Sequence, residues 1–319
     1  MTASRNYHII LVPSELGCGK RGASHGPEAI MYADINRKGD FFNRFHFTRI
    51  EDHNYELIHP TPFTHAKYID HITKVIDCII DEVEDCFDYD QFPLILSGDH
   101  SNAIGTIAAI KNFYPSKRLG VIWIDAHGDL HSPYTTPSGN VHGLPLAASL
   151  GDVFCSEKIN KIDEATKHYW KKLTHAGDRR IHPKLFPEDV VFIDIRDLEA
   201  PEWKDIKDNK IKHYGPDEVK NIPVKKIAED SLSYLDHCDL LYISFDVDSM
   251  DPSVSEGTGS STPGGMTLAK AKRLLNYLFQ SPKLIALEIT EVNPLLDTKN
   301  QMAQAVLEIL DNLIPKDEV

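Results

Sequence analysis

The chain has 319 residues, 41% of them hydrophobic and 26% charged, a balance that supports a sizeable buried core without disulfide staples. Its 48 acidic residues against 34 basic leave a formal charge of −14, which argues against a nucleic-acid partner, since that calls for a basic face. Cys18, Cys78, Cys86, Cys155 and Cys238 are scattered, odd in number and form no C-x-x-C pair, so a disulfide framework or thiolate zinc motif is not expected and a reducing compartment fits.

The opening "MTASRNYHIILVPSELG" has one basic residue and an apolar run too short for a secretory leader, and reads instead as a first strand, Tyr7–Val12. A helix over 65–87 follows, with Ile69, Ile72, Val75, Ile76, Ile79 and Val83 on one face and acids opposite. Strand Phe92–Ser97, helix 101–113 and strand Leu119–Ile124 come next, then a strand over 189–195. The Pro- and Lys-rich stretch 201–224 reads as an excursion, not a linker. Helix 224–236, strand 239–245, helix 267–280 with Thr267 as its N-cap, strand 283–289 and helix 299–314 complete the chain. The strands are near-continuous apolar runs, as expected where both faces of a parallel sheet are covered. Strand–helix alternation predicts one three-layer α/β domain over 1–319 around a mostly parallel sheet. No apolar stretch reaches membrane-spanning length, so a soluble, cytoplasmic protein without membrane contacts is expected.

Ligands of such sheets gather beyond the carboxyl ends of the strands, and four strands here end in metal-capable or acidic groups. Ser97-Gly98-Asp99-His100 follows the second predicted strand, and Asp125-Ala126-His127-Gly128-Asp129 follows the third. Asp246-Val247-Asp248 and Thr290-Glu291 end two later ones. Alone, "DVD" is good turn sequence and "GDHS" a possible helix cap at Ser101. Carboxylates at the edge of a core are costly unless something positive holds them, and no Lys or Arg occurs between Gly120 and Gly151. In D-x-H-x-D and D-x-D, alternate side chains of an extended segment point the same way. Asp125, His127 and Asp129 therefore converge, as do Asp246 and Asp248, and His100 joins them. Two imidazoles and four carboxylates are too many for one cation and suit a pair. Oxygen-rich ligation with some imidazole favours Mn²⁺, with Fe²⁺, Co²⁺, Ni²⁺ and Zn²⁺ left open.

In this order, "SGDHS", "DAHGD", "SGNVHG", "SFDVDSMDPS" and "EVNP" resemble the ureohydrolases, the arginase family, as does the opening "ELGCGKRGASHGPEAI". The resemblance spans nearly the whole chain and implies an eight-stranded parallel sheet in an α/β/α fold, with two Mn²⁺ per chain. It implies that His100, Asp125, Asp129 and Asp246 hold one ion and Asp125, His127, Asp246 and Asp248 the other, with Asp125 and Asp246 shared. It also implies cleavage of a guanidinium by a hydroxide between the ions. Glu291 would clamp the guanidinium, Asp129 orient the hydroxide and pass its proton on, and His142 act as mobile acid–base group.

The stretch "HSPYTTPSGN" resembles arginases more than agmatinases, because Ser138 and Asn140 fit their α-carboxylate donors, although 137–140 is also good turn sequence. His131 stands where arginases place an asparagine, and Glu199, after the matching Asp197, where they place an aspartate near the α-amino group. The loop "EGTGSSTPGG" is longer than the family's, leaving the substrate-facing hydroxyl open among Thr258, Ser260 and Thr262. The expected reaction is hydrolysis of the small-molecule guanidino substrate L-arginine to L-ornithine and urea, by a homo-oligomer, trimer or hexamer. The alternatives are another ureohydrolase substrate (formiminoglutamate, agmatine or a guanidino acid), a non-catalytic relative, or a single-zinc deacetylase-type enzyme.

Overall fold

The computed structural model describes residues 5–151 and 158–316; Cys155 lies outside the described residues. Eight strands form one sheet: β1 (Tyr7–Val12), β2 (His46–Arg49), β3 (Phe92–Ser97), β4 (Leu119–Ile124), β5 (Val190–Ile193), β6 (Lys212–Tyr214), β7 (Leu240–Asp246) and β8 (Leu284–Thr290). Their order is β2-β1-β3-β8-β7-β4-β5-β6, and every pairing is parallel. The helices are α1 (Gly26–Asn36), α2 (Ile69–Asp88), α3 (Ala103–Phe113), α4 (Pro145–Leu150), α5 (Glu164–Thr174), α6 (Ala200–Asp208), α7 (Pro216–Asn221), α8 (Val224–Tyr234), α9 (Leu268–Phe279) and α10 (Gln301–Leu313).

The two-residue period of a strand divides each apolar run between two cores. Ile9 and Leu11 of β1 face a layer built on α1, α8, α9 and α10, whereas Ile10 and Val12 face α2, α3, α4 and α5. Trp123, Tyr242, Phe192 and Phe245 are fully buried in these cores, each side chain contributing about 1.5–3 kcal/mol relative to exposure. The expected three-layer α/β arrangement is the one observed. Thr267 caps α9, accepting the Lys270 N–H.

Some expectations need correction. The helix placed over 65–87 begins only at Ile69, because Tyr68 is left-handed (φ 56°) and cannot continue a helix backward. The stretch 201–224 is no bare excursion: it holds α6, β6 and α7, and Ile206, Tyr214 and Val219 from it are buried. Edge strands β2 and β6 have too few apolar residues to declare themselves, since edges need only half the burial. Among the described residues, no helix is long and apolar enough to cross a membrane.

One feature of the order positions the site. Strands β3 and β4 are consecutive in sequence but stand apart in the sheet, with β8 and β7 inserted between them. The crevice beyond such a switch in strand order is where open α/β sheets bind ligands. The four strands that end in polar motifs are therefore the four neighbours β3, β8, β7 and β4.

Candidate metal centre and active site

Each ligand-type residue is held by its own turn. After β3, Gly98 passes so close to Ser14 that a Cβ would lie 2.2 Å from the Ser14 carbonyl oxygen. Asp99 then caps the short helical turn at His100, accepting the Ser101 N–H (2.8 Å), and also accepts the Gly17 N–H (2.7 Å). The cap is thus Asp99 and not Ser101, and its carboxylate anchors the amino-terminal loop. His100 stacks flat on Trp123, with ring centroids 4.1 Å apart, and its Nε2 meets Ser244 Oγ at 2.7 Å. That bond turns Nδ1 toward the crevice.

After β4, Asp125 accepts Trp123 Nε1–H (3.0 Å) and the His127 N–H (2.7 Å). Asp129 sits in the left-handed region at φ 53°. After β7, Asp246 accepts the Asp248 N–H (2.8 Å), and Asp248 accepts the Ala126 N–H (3.2 Å). The side chains converge as expected, but alternation along an extended segment is not the cause. The chain leaves β4 in bends, and Val247–Ser249 is a helical turn. Short carboxylate-to-amide bonds across those turns aim the groups.

His100 Nδ1 lies 3.1 Å from Asp125, 3.0 Å from Asp129 and 3.2 Å from Asp246. His127 Nδ1 lies 3.4 Å from Asp125 and 3.0 Å from Asp248. Two ligand clusters result, His100–Asp125–Asp246 and Asp125–His127–Asp248, sharing Asp125. His100 Nδ1 and Asp129 Oδ2 are both buried and neither makes a hydrogen bond, though they face each other. A lone pair and a carboxylate oxygen in that relation fit a cation between them.

The electrostatics agree. Burial first, then the neighbouring Asp248 and Asp125 charges, push the Asp246 carboxyl well above its usual range, and Asp129 rises to about 6 for similar reasons. Burial opposes charge on His100 and His127 too, but the surrounding carboxylates outweigh it and raise both. Crowded like charges of this kind are relieved by divalent cations.

A cavity of about 130 Å³, lined by both clusters, opens beside them. Glu291, left-handed at φ 67° after β8, forms part of its wall. Its Oε1 accepts the His100 N–H and His142 Nδ1–H, both at 3.0 Å. Burial works against the His142 charge, yet the Glu291 carboxylate more than compensates and raises its pKa to about 9.

Ser138 and Asn140 line the same cavity; Ser138 Oγ accepts the Asn140 N–H (3.1 Å), and Asn140 Oδ1 accepts Lys67 Nζ–H (3.1 Å). His131 meets Glu199 at 3.0 Å and Glu202 at 3.5 Å. Glu202 itself is buried and accepts the Leu130 and Glu199 N–H groups. Asp197 stands at the rim, its side chain 67% exposed, with Oδ2 3.8 Å from His127 Nε2 and 3.5 Å from Thr262 Oγ1. Of the three loop hydroxyl residues, Ser260 lines the cavity and Thr258 is buried.

Several contributors escaped the sequence reading. Trp123, in β4 two residues before Asp125, donates its Nε1–H to that carboxylate. Glu202 follows Glu199 by three residues, a helical spacing. Arg196 Nη2 donates to the carbonyls of Asp248 (2.7 Å) and Thr262 (2.8 Å), tying the β7 turn to the long loop. Neither Arg196 nor Lys67 carries a local signal, because their roles arise from contacts far apart in sequence.

The sheet and its crevice define a class first: α/β proteins that carry an acid-rich, cation-binding type of cluster at a switch in strand order. The Arginase family model matches residues 5–314. The chain belongs to the arginase family. It is 34% identical to the arginase of Bacillus subtilis, over 98% of both chains. The native arginase structure from Bacillus caldovelox superposes with a TM-score of 0.81 at 30% identity, covering 98% of this chain and 99% of that one. An Entamoeba histolytica arginase in complex with L-ornithine gives 0.82 at 25% identity, over 99% of this chain and 100% of that one.

Proposed function

We propose that this chain hydrolyses L-arginine to L-ornithine and urea, with two Mn²⁺ held by His100, Asp125, His127, Asp129, Asp246 and Asp248. The observation that carries the reading is the pair of clusters sharing Asp125, with the unbonded His100 Nδ1 and Asp129 Oδ2 facing each other at 3.0 Å. Divalent cations held by these six residues would supply Lewis acidity, making a strong nucleophile of water at neutral pH.

The remaining work falls to the chain. Glu291 uses Oε1 for its two internal donors, which leaves Oε2 for the N–H groups of a guanidinium. A guanidinium carbon is a poor electrophile, so this placement matters as much as the nucleophile. Asp129 takes up the proton of the attacking water. As the C–O bond forms and the C–N bond breaks, the departing δ-nitrogen needs a proton. His142, kept protonated by Glu291, supplies it and regains the hydroxyl proton as the urea carbonyl forms, while the proton held by Asp129 passes to the released amine. Ser138 and Asn140 offer the donors for an α-carboxylate, and Glu199 with Glu202 the acceptors for an α-ammonium.

Manganese-loaded protein offered L-arginine, formiminoglutamate and agmatine separates the candidate reactions. Urea and ornithine from L-arginine support the reading; formamide and glutamate, or urea and putrescine, redirect it to a sister reaction. The His131–Glu199 pair is the observation that favours a sister substrate, because it occupies a carboxylate otherwise free for an ammonium group.

A further inference from the structure

A second, chemically different donor set lies at the far edge of the molecule. His8 of β1 and His46 of β2 are register partners, so both side chains leave the sheet on one face, the face that packs on α2. On α2, Glu82 and Cys86 are four residues apart and share a face. His8 Nε2 lies 3.4 Å from Glu82 Oε1, and one ligand atom each of His8, Glu82 and Cys86 falls within 4.8 Å of the others. Cys86 is buried, and His8 Nδ1 is buried without a hydrogen-bond partner.

We propose that His8, Glu82 and Cys86 form a zinc-type divalent metal site that joins β1 to α2, with a fourth position open to His46 of edge strand β2. The donor set of imidazole, carboxylate and thiolate differs in softness from the oxygen-rich centre and suits Zn²⁺ or Co²⁺ over Mn²⁺. One thiolate delivered by the fold, not a C-x-x-C spacing, explains why cysteine spacing gave no sign of it. Burial keeps the His8 imidazole neutral, its ligating form, and holds Cys86 as a thiol, so a metal ion must displace the thiol proton into solvent. A ligand from His46 would also tie in β2, which is only four residues long, mostly exposed, and paired on one side alone. Without a metal the same atoms make a His8 bond to Thr48 Oγ1 at 2.9 Å and a loose contact to Glu82.

Sulfur-to-cobalt charge-transfer absorption reports this site selectively, because none of the six residues of the main centre is a cysteine. Protein saturated with Mn²⁺ is titrated with Co²⁺ alone. The band is expected to rise at one equivalent, to persist in Cys18→Ser, Cys78→Ser and Cys238→Ser, to vanish in Cys86→Ser, and to fade on adding Zn²⁺. Glu82→Gln, which leaves the thiol in place, should weaken Co²⁺ binding by at least about tenfold. It should leave urea release unchanged, and it keeps the proposal testable if Cys86→Ser fails to fold. No band in the parent protein, a band that survives Cys86→Ser, or unaltered affinity in Glu82→Gln would overturn it.

Discussion

Glu291→Gln isolates the charge at the mouth of the site. Glu291 is 3% exposed, and its Oε1 accepts two donors at 3.0 Å, from the His100 backbone and the His142 ring. The amide has nearly the same volume, so packing is kept and the negative charge alone is lost. Burial disfavours that charge, but the His142 imidazolium holds the carboxyl below its usual range. Breaking a buried pair by removing one charge costs about 3–5 kcal/mol, and a charge-assisted bond to a guanidinium contributes about 1.5–3 kcal/mol. Taking about 3 kcal/mol for the combined loss in the transition state, kcat/KM for L-arginine should fall about 100-fold, at 1.36 kcal/mol per decade. His142 should also lose its proton earlier. Its raised pKa keeps the proton up to about pH 9 in the parent, so the alkaline fall in kcat/KM should move toward the ordinary imidazole range. Initial rates of urea release across pH, with manganese content measured alongside, check both points. A loss under about fivefold, or a loss that tracks manganese content, would refute the reasoning.

Other perturbations test other links. Lys184 is buried and donates to the Thr174 carbonyl (2.7 Å), and desolvation lowers its pKa from 10.5 to about 7. The unfolded chain then binds more protons between those values, so this group's contribution to stability rises with pH through that window. The stability advantage of Lys184→Met over the parent should shrink by about 2 kcal/mol from pH 7 to 9, measured by urea unfolding; a constant difference would contradict the burial argument. Gly98→Ala puts a Cβ 2.2 Å from the Ser14 carbonyl oxygen and should destabilise by about 1–3 kcal/mol, seen as a lower denaturation midpoint at unchanged slope. His131→Asn releases Glu199 from its 3.0 Å partner, so KM for L-arginine should drop about tenfold at unchanged kcat if that carboxylate meets the α-ammonium.

The parts legible in the sequence share one property: their signal is local. Continuous apolar runs marked β3, β4, β7 and β8 because central strands bury both faces, and the polar residues that end them stood out by contrast. The stripe from Ile69 to Val83 marked α2 for the same reason. Short edge strands β2 and β6 were invisible because their burial is slight. At the site, residue types and spacing indicated which groups meet, but not how. Helical turns and left-handed backbone at Asp129 and Glu291 do the aiming, and such dihedrals leave little trace in residue identity. Ser244, Lys67 and Arg196 were unreadable because their partners lie far along the chain. Strand order was equally hidden. Only the fold shows that the four motif-bearing strands are neighbours.

Manganese bound per chain tests the account most directly, by equilibrium dialysis with electron paramagnetic resonance on the loaded protein. Two clusters sharing Asp125, with Asp129 beside His100, predict two ions with a spin-coupled signal, and less than one ion in Asp125→Asn. A single uncoupled ion in the parent, or full occupancy in Asp125→Asn, would contradict it.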